Sequence, residues 1–262
     1  MKIAVCVKQV PDTETKIRIA ADSRSIDESG VAFIVSPYDE YAVEEALRIR
    51  EKEGGEIVAY SVGDERTATA LRTVLAMGVD RAVHLKDRAF EGSDALGLSR
   101  ILAAALAPES FNLILFGKQA VGTDRGQVGP RVAELLDLPH VSVVTRVNLE
   151  EGRLTAEREI EGAREIVATP LPAVLTAQKG LNEPRYASLK GILAAKKKEI
   201  RVVTAADLSL DPAKVGIGGA ATVWEKLELP PARTSGKILK DMAPAAAAAE
   251  LVRLLREEAK VI

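Results

Sequence analysis

Hydrophobic residues alternate along the first half of the chain between short continuous runs and longer segments with helical spacing. Continuous apolar runs of four to seven residues are typical of strands buried on both faces. Segments in which apolar residues recur every three or four positions predict amphipathic helices. The predicted strands are 2–7, 56–62, 81–85 and 112–116, and the predicted helices are 41–52, 65–77, 93–106 and 125–136. The alternation predicts a Rossmann-like α/β fold, a mostly parallel sheet with helices on both faces.

The pattern changes after about Val141, where strand-like segments follow one another without a long helix between them. These segments are 141–149, 153–160, 165–168 and 173–176, and they predict a mixed or antiparallel addition to the sheet. From about Ala205 the chain is rich in Pro and Gly, and it ends in an alanine-rich helical segment at 243–260. We therefore predict an α/β nucleotide-binding domain at 1–204 and a C-terminal arm at 205–262. An arm with so little core of its own either wraps a partner or lies on its own domain.

Composition excludes several classes of function. The 262 residues carry a net charge of −2 and only 3% aromatic residues, which argues against a nucleic-acid-binding surface. No apolar stretch approaches the length of a membrane span, and the first residues do not resemble a signal peptide. The single cysteine, Cys6, excludes an internal disulfide and fits a reducing compartment, so we expect a cytoplasmic protein.

Four segments of the chain are predicted to meet at the carboxyl ends of the parallel strands, where such sheets bind ligands. They are 8–13, 36–39, 62–64 and the glycine-rich stretch GKQAVGTDRGQVG at 117–129. The glycines of the last segment let the backbone approach a ligand, and the helix that follows directs free N–H groups towards a phosphate. The stretch matches neither GxxxxGK[ST] nor GxGxxG, so alone it is either a phosphate site or a glycine-rich turn. The convergence of four segments favours the phosphate site.

The sequence offers few groups for catalysis. It contains no Ser-His-Asp order, no HExxH and no kinase motif, and two histidines with one cysteine make a metal centre improbable. We expect His84 and His140 near strand starts, away from the crevice, in structural roles. Asp12, Asp39, Asp64 and Asp124 fit turns, caps or ribose contacts better than acid–base chemistry. A nucleotide cradle without an acid, base or nucleophile indicates binding rather than turnover.

A second candidate site is LNEPRYASLKGIL at 181–193, which precedes three lysines at 196–198. Asn182 and Pro184 interrupt regular structure, and Tyr186, Leu189 and Leu193 are apolar groups beside the basic run. The segment is either a surface loop before a solvated helix or a docking loop with an apolar anchor and steering lysines.

Several stretches of the chain resemble the β subunits of electron-transfer flavoproteins. The matching stretches are VKQVPDT, SPYDEYAVEEALR, RTVLAMGVDRAVHL, GKQAVGTDRGQVGPRVAELL, AEREIEGAREIVATPLPAVLTA and LNEPRYASLKGILAAKKKEI. They cover about residues 3–203 in the family's order and spacing, and the last two are the most specific. The resemblance implies an electron-carrier subunit, not itself an enzyme, that works in a heterodimer with a larger α subunit.

The resemblance also implies cofactors, partners and site residues. This chain would bury AMP as a structural ligand, and the α subunit would hold most of the FAD. The implied AMP-contacting positions are Cys6, Ser36, Pro37, Tyr38, Asp39, Val62, Gly117, Lys118, Gln119, Ala120, Val121, Gly122, Thr123, Asp124, Arg125, Gly126, Gln127 and Val128. The regions of Thr13 and Tyr38 would approach the flavin, and Glu159 would pair with the mobile flavin domain. Leu189, beside Tyr186, would anchor acyl-CoA-type dehydrogenases of fatty-acid oxidation, with a quinone-reducing or other protein as downstream acceptor.

Two alternatives stay open beside this resemblance. Members that bifurcate electrons carry a second FAD in the β-subunit site, and they share VPDT and QVGP with this chain. The GTDRG middle of the glycine loop departs from their DGDTA pattern, which favours AMP. The other alternative is a stand-alone ATP-binding stress-type α/β domain, which needs neither the docking loop nor the arm.

Overall fold

The structure, a computed structural model, describes residues 1–150, 152–232 and 236–262. Contacts divide the chain into one compact unit at Met1–Lys226 and a second at Leu227–Ile262. The predicted arm begins at Ala205, but Ala205 and Val215 are buried in the core of the first unit. The wrapping of a partner by the C-terminal region stays a prediction.

The first unit contains a nine-stranded sheet with a largely parallel arrangement. Its strands are β1 Lys2–Cys6, β4 Glu56–Val62, β5 Arg81–Leu85, β6 Leu113–Gly117, β7 His140–Glu150, β8 Arg153–Ile160, β9 Ala163–Pro170, β10 Ala173–Ala177 and β11 Ile200–Val203. The strand order is β11-β5-β4-β1-β6-β10-β7-β8-β9, and all neighbours up to β7 are parallel. Strands β7, β8 and β9 form the antiparallel addition. The fold class expected from the sequence is therefore confirmed.

Helices cover both faces of this sheet. They are α1 Pro37–Glu53, α2 Thr67–Met77, α3 Ala95–Leu106, α4 Val128–Leu135, α5 Leu189–Lys197 and the short α6 Gly216–Gly219. Alternate residues of β1 enter two separate cores, with Ile3 and Val5 in one and Ala4 and Cys6 in the other. The first core lies under α1, α2 and α5, and the second lies under α3 and α4. A strand that is buried on both faces must be apolar at every position, which explains the continuous runs of the sequence.

Three features differ from the sequence-based expectations. Helix α1 begins at Pro37, earlier than the predicted start at Tyr41, because proline suits the first turn of a helix. A small antiparallel pair, β2 Gln9–Pro11 and β3 Phe33–Val35, was not predicted, nor was the edge strand β11. His84 lies near the carboxyl end of β5, so its expected place near a strand start was wrong.

The second unit contains one long helix, α7 Pro244–Glu257. Arg253 pairs with Glu250 and Glu257 along its polar side. No described residue of this unit is buried, and its exposed apolar side chains are Leu229, Ile238, Met242, Leu251, Val252, Val261 and Ile262. Such a segment has no core of its own.

Candidate functional site

A cavity of about 260 Å³ lies at the carboxyl ends of three neighbouring strands. Cys6 ends β1, Val62 ends β4 and Gly117 ends β6, and all three residues line the cavity. Strand β1 lies between β4 and β6. The chain adds β4 and β5 on one side of β1 and then crosses over to add β6 on the other side. The cavity therefore occupies the switch point at which open α/β sheets bind ligands.

Asp39 ties together two of the segments that form the cavity. Its carboxylate accepts hydrogen bonds from the backbone N–H groups of Lys8 at 2.7 Å and Gly117 at 3.0 Å. The backbone of Gly117 passes so close to α1 that a Cβ there would lie 2.6 Å from the carbonyl carbon of Tyr38. Only glycine fits at this position, which explains the first residue of the glycine-rich loop.

Burial at the cavity shifts the pKa values of three neighbouring side chains, Asp39, Lys8 and Cys6. Burial raises the pKa of Asp39 to about 7, although the two N–H donors and the charge of Lys8 act in the opposite direction. Burial lowers the pKa of Lys8, with the Asp39 carboxylate opposing this effect and Arg125 adding to it. Burial, and then the Asp39 carboxylate, raises the pKa of the Cys6 thiol well above its ordinary value. A raised pKa keeps the thiol protonated at neutral pH, which disfavours nucleophilic chemistry at Cys6.

Lys8, Lys118 and Arg125 give the cavity a cationic lining. Lys118 Nζ lies 4.9 Å from the centre of the Tyr38 ring, and the Arg125 guanidinium lies 4.8 Å from the Trp224 ring. Within the described residues, none of the three cations forms an ion pair with a carboxylate. Cations that rest on aromatic faces keep N–H donors available for an anionic ligand.

The start of α4 forms one wall of the cavity. Gly126, Gln127, Val128 and Gly129 line it, and no side chain caps the helix at Gln127. A Cβ at Gly129 would lie 2.8 Å from Thr176 Cγ2, so glycine lets the helix approach the end of β10. Uncapped N–H groups and the positive end of a helix dipole form a favourable seat for a phosphate.

The start of α3 forms the opposite wall. The Asp94 carboxylate caps this helix by accepting from the N–H groups of Leu96 and Gly97. The same carboxylate accepts from the N–H groups of Ala221 and Thr222 at 2.9 and 3.2 Å. These four N–H groups hold the pKa of Asp94 below its ordinary value, although burial opposes them. Asp94 therefore fastens a distant segment, which carries Trp224, to the edge of the cavity.

Most of the predicted nucleotide contacts line this cavity. They are Cys6, Asp39, Val62, Gly117, Lys118, Gln119, Ala120, Thr123, Arg125, Gly126, Gln127 and Val128. Ser36, Pro37, Tyr38, Val121, Gly122 and Asp124 do not line it. Ser36 and Pro37 instead begin α1, and the Asp124 carboxylate accepts from Gln119 Nε2 at 2.7 Å. The assignment of these positions to nucleotide binding stays a prediction.

Sequence reasoning missed one wall of the cavity. Asp94 was not among the predicted site residues, and Trp224 lay within the predicted C-terminal arm at 205–262. The only signal in the sequence was that Trp224 is the single tryptophan of the chain. Lys8 lay within a predicted crevice segment but was not assigned as a contact.

The described residues hold no further catalytic constellation. His84 is 2% exposed, and its Nε2 lies 3.1 Å from the carbonyl oxygen of Gly63, a structural contact. No group of three or more metal-ligating side chains comes together in the described part of the chain. None of the helices within residues 1–150, 152–232 and 236–262 is both long and apolar enough to cross a membrane.

The predicted docking residues lie far from the cavity in two places. Tyr186 and Leu189 are 99% and 74% exposed, and Leu189 begins α5. Ile192 and Leu193 are also exposed on this helix, which ends at Lys196 and Lys197. Glu159 is exposed on β8, opposite Arg164 of β9.

The loop before α5 is held firmly on α1. Arg185 donates to the buried Glu44 carboxylate and to Glu51, and Asn182 donates to Glu45 and to the carbonyl oxygen of Tyr41. The exposed apolar side chains therefore project from a fixed base, which reduces the entropy that a partner must remove on binding.

Comparison with known proteins gives a consistent match over the full chain. The electron transfer flavoprotein domain family matches residues 24–208. The chain is 43% identical to the electron transfer flavoprotein subunit beta of Bacillus subtilis over 265 aligned residues, which cover 100% of both chains. The subunit beta of Thermoanaerobacterium thermosaccharolyticum is 41% identical over 91% of this chain and 92% of its own length. The mitochondrial subunit beta of Oryza sativa subsp. japonica is 40% identical over 100% of both chains.

Proposed function

Because this chain belongs to the electron transfer flavoproteins, as a β subunit, we propose that it binds AMP as a structural ligand in a heterodimer with a flavin-bearing α subunit. The observation that carries the proposal is the cationic cavity at the switch point of the sheet, where Asp39, the lining carboxyl with a raised pKa, has both oxygens engaged by backbone N–H groups. Electrons enter the flavin of the complex from a docked dehydrogenase and leave to a second acceptor. This chain supplies the platform, the docking surface and the environment of the flavin.

The lining of the cavity suits an adenylate. The uncapped start of α4 and the cations Lys8, Lys118 and Arg125 favour a phosphate. Apolar groups such as Val62, Leu98 and Leu102 favour a flat base at the other side. A nucleotide that binds the folded chain stabilises it by mass action, which is the structural role we propose for AMP.

The volume of the cavity favours AMP over FAD. At about 260 Å³ it lies just below the range of about 300–1,000 Å³ that is usual for small-molecule sites. A mononucleotide suits a cavity of this size better than FAD, which joins an AMP moiety to a riboflavin phosphate and is therefore larger. We therefore propose that the FAD of the complex is held mainly by the α subunit.

We assign docking to the surface formed by Tyr186, Leu189, Ile192 and Leu193, hereafter the docking surface. Its apolar side chains suit a pocket on acyl-CoA-type dehydrogenases, and Lys196 and Lys197 suit acidic groups at the rim of that pocket. Glu159 is proposed to pair with a cationic group of the mobile flavin domain, since its carboxylate is exposed on β8.

Cofactor counting tests the nucleotide assignment. The chain is purified together with its α subunit, and the released nucleotides are identified by mass spectrometry. We expect one FAD and one AMP per heterodimer. Two FAD per heterodimer would contradict the AMP assignment, and ATP or ADP released from a chain that is active alone would contradict the carrier function.

Substitution at Leu189 tests the docking surface. Leu189→Ala should reduce electron transfer from a dehydrogenase by about thirtyfold or more, because truncating a central apolar anchor costs about 2 kcal/mol or more. Ile217→Ala is the matched control, since Ile217 is an equally exposed apolar residue, at 73%, on α6 and outside the docking surface. Both variants should retain their AMP and FAD. A wild-type rate for Leu189→Ala would remove the docking assignment.

A further inference from the structure

Residues 220–226, which we call the strap, follow α6. They carry Trp224, the single tryptophan of the chain, which lines the cavity. Two sets of hydrogen bonds fasten the chain, one at the first two residues of α6 and one shortly after its end. Gly216 N donates to Ser93 Oγ at 2.7 Å and Ile217 N donates to the Glu91 carbonyl oxygen at 3.1 Å, while Asp94 holds Ala221 and Thr222. Four N–H donors on one carboxylate leave little freedom to the start of the strap.

Arg125 of the glycine-rich loop contacts two residues of the strap. The Arg125 guanidinium lies 4.8 Å from the Trp224 ring centre, and its NH1 lies 3.5 Å from Thr222 Oγ1. Neither partner is a carboxylate, so the positive charge of Arg125 is held in place without being neutralised. An arginine that is fixed on an aromatic face still presents N–H donors in its plane.

The cavity around Arg125 is lined by three cations and by two carboxyl groups, Asp39 and Asp94, and both carboxyl groups already accept from backbone N–H groups. Lys8 and Lys118 line the same cavity, and the positive charge of Arg125 contributes to the lowered pKa of Lys8. A cation held near other cations without a carboxylate partner is stabilised when an anion enters. The N–H groups at the start of α4, directly after Arg125, favour the same anion.

We propose that Arg125 binds the phosphate of the nucleotide and that Trp224, with Thr222, is a positioning residue that holds the guanidinium over the cavity. The proposal rests on the adenylate site proposed above and assigns the orientation of its phosphate-binding arginine to a segment outside the glycine-rich loop. The proposal also separates two roles. Arg125 in the loop supplies the positive charge, and the strap orients the guanidinium. Trp224 itself need not touch the ligand.

The test compares AMP with adenosine, which lacks the phosphate. Affinities are measured by calorimetry on the nucleotide-free complex with the α subunit. Arg125→Ala should weaken AMP by about tenfold or more and leave adenosine unchanged. Trp224→Leu should weaken AMP by about two- to fivefold, the size of a solvent-exposed cation–π contact, again with adenosine unchanged. Trp224→Phe should restore most of the AMP affinity, because it keeps an aromatic face.

Two further variants make the test specific. In the Arg125→Ala background, Trp224→Leu should cause no additional loss, because its effect acts through the arginine. Val223→Ala is the matched control, since Val223 is 74% exposed in the strap and does not line the cavity. It should bind both ligands like the wild type.

Two outcomes would overturn the proposal. Equal weakening of AMP and adenosine by Trp224→Leu would show that the indole contacts the base instead of positioning the arginine. Unchanged AMP affinity in Trp224→Leu would show that the strap has no role in binding. If the wild-type complex binds neither ligand, the adenylate site itself fails, which is a different result from either of these.

Discussion

Replacing Arg185 by alanine should loosen the docking surface without touching any of its apolar residues. Arg185 donates to the Glu44 carboxylate from Nε at 2.8 Å and from NH2 at 3.0 Å, and it also pairs with Glu51. Glu44 is 3% exposed, whereas the Arg185 side chain is 35% exposed. The ion pair is therefore buried on one side and solvated on the other.

The expected magnitude follows from this intermediate burial. Removing one partner of a buried pair costs about 3–5 kcal/mol, and an exposed pair contributes about 0–1 kcal/mol. Glu44 keeps a hydrogen bond from Arg48 Nε at 3.0 Å and one from the backbone N–H of residue 185 at 3.1 Å. We expect Arg185→Ala to destabilise the docked loop by about 2 kcal/mol, which accelerates amide hydrogen exchange of residues 181–193 by about thirtyfold.

The effect should depend on pH with a defined sign. Burial raises the pKa of Glu44, but the hydrogen bonds from Arg185 and Arg48 outweigh burial and hold the pKa below its ordinary value of 4.5. The folded chain then binds this proton less readily than the unfolded chain. The stabilisation is therefore present above about pH 4.5 and is lost as the pH falls through the folded-state value. The difference between wild type and Arg185→Ala should shrink in the same window.

The assay is hydrogen exchange with mass spectrometry on the complex with the α subunit, at neutral and acidic pH. Arg18→Ala is the control, because Arg18 pairs with Asp27 at the surface, with side chains 61% and 34% exposed. We expect that control to change local stability by no more than about 0.5 kcal/mol. Equal exchange of residues 181–193 in wild type and Arg185→Ala at neutral pH would refute the reasoning, as would a difference that persists undiminished in acid.

Two more predictions concern the cavity and the second unit. Gly117→Ala should reduce co-purified nucleotide by about tenfold, because the added Cβ would lie 2.7 Å from Asp39 N and forces the cavity backbone apart. Gly218→Ala, which meets nothing within 4 Å, is its control, and full nucleotide content in both variants would contradict the prediction. Deletion of 227–262 should leave the fold of the first unit intact by circular dichroism but abolish stable assembly with the α subunit, whereas an intact heterodimer on gel filtration would show that this unit is dispensable.

The general architecture could be predicted because its causes are local. A strand buried on both faces needs apolar residues throughout, and runs such as 56–62 and 81–85 coincide with β4 and β5. Helix ends were predicted less well where capping was unusual, as at Pro37, since the first turn of α1 carries polar residues. The edge strand β11 was missed because Ile200–Val203 follows a lysine run and is half exposed.

The cavity was predicted in part for the same reason. The ends of β1, β4 and β6 and the glycine-rich loop follow from the order of strands and from the spacing of glycines along the chain. Neither the strand order nor the glycine spacing predicts that Asp39 links Lys8 to Gly117. The two partners of Asp39 lie 31 and 78 positions away along the chain. Burial raises the pKa of this carboxyl, and burial is a property of the packed molecule.

Patterns along the chain were enough to predict the alternation of strands and helices, the antiparallel addition after β6, and the family to which the chain belongs. Only the tertiary structure joined Asp94 to Ala221 and Thr222, brought Trp224 to Arg125, and fastened Arg185 to Glu44. Hydrophobic periodicity reports the surroundings of each residue within one element. Polar contacts between residues about a hundred positions apart depend on how whole elements pack, and no local pattern records that distance.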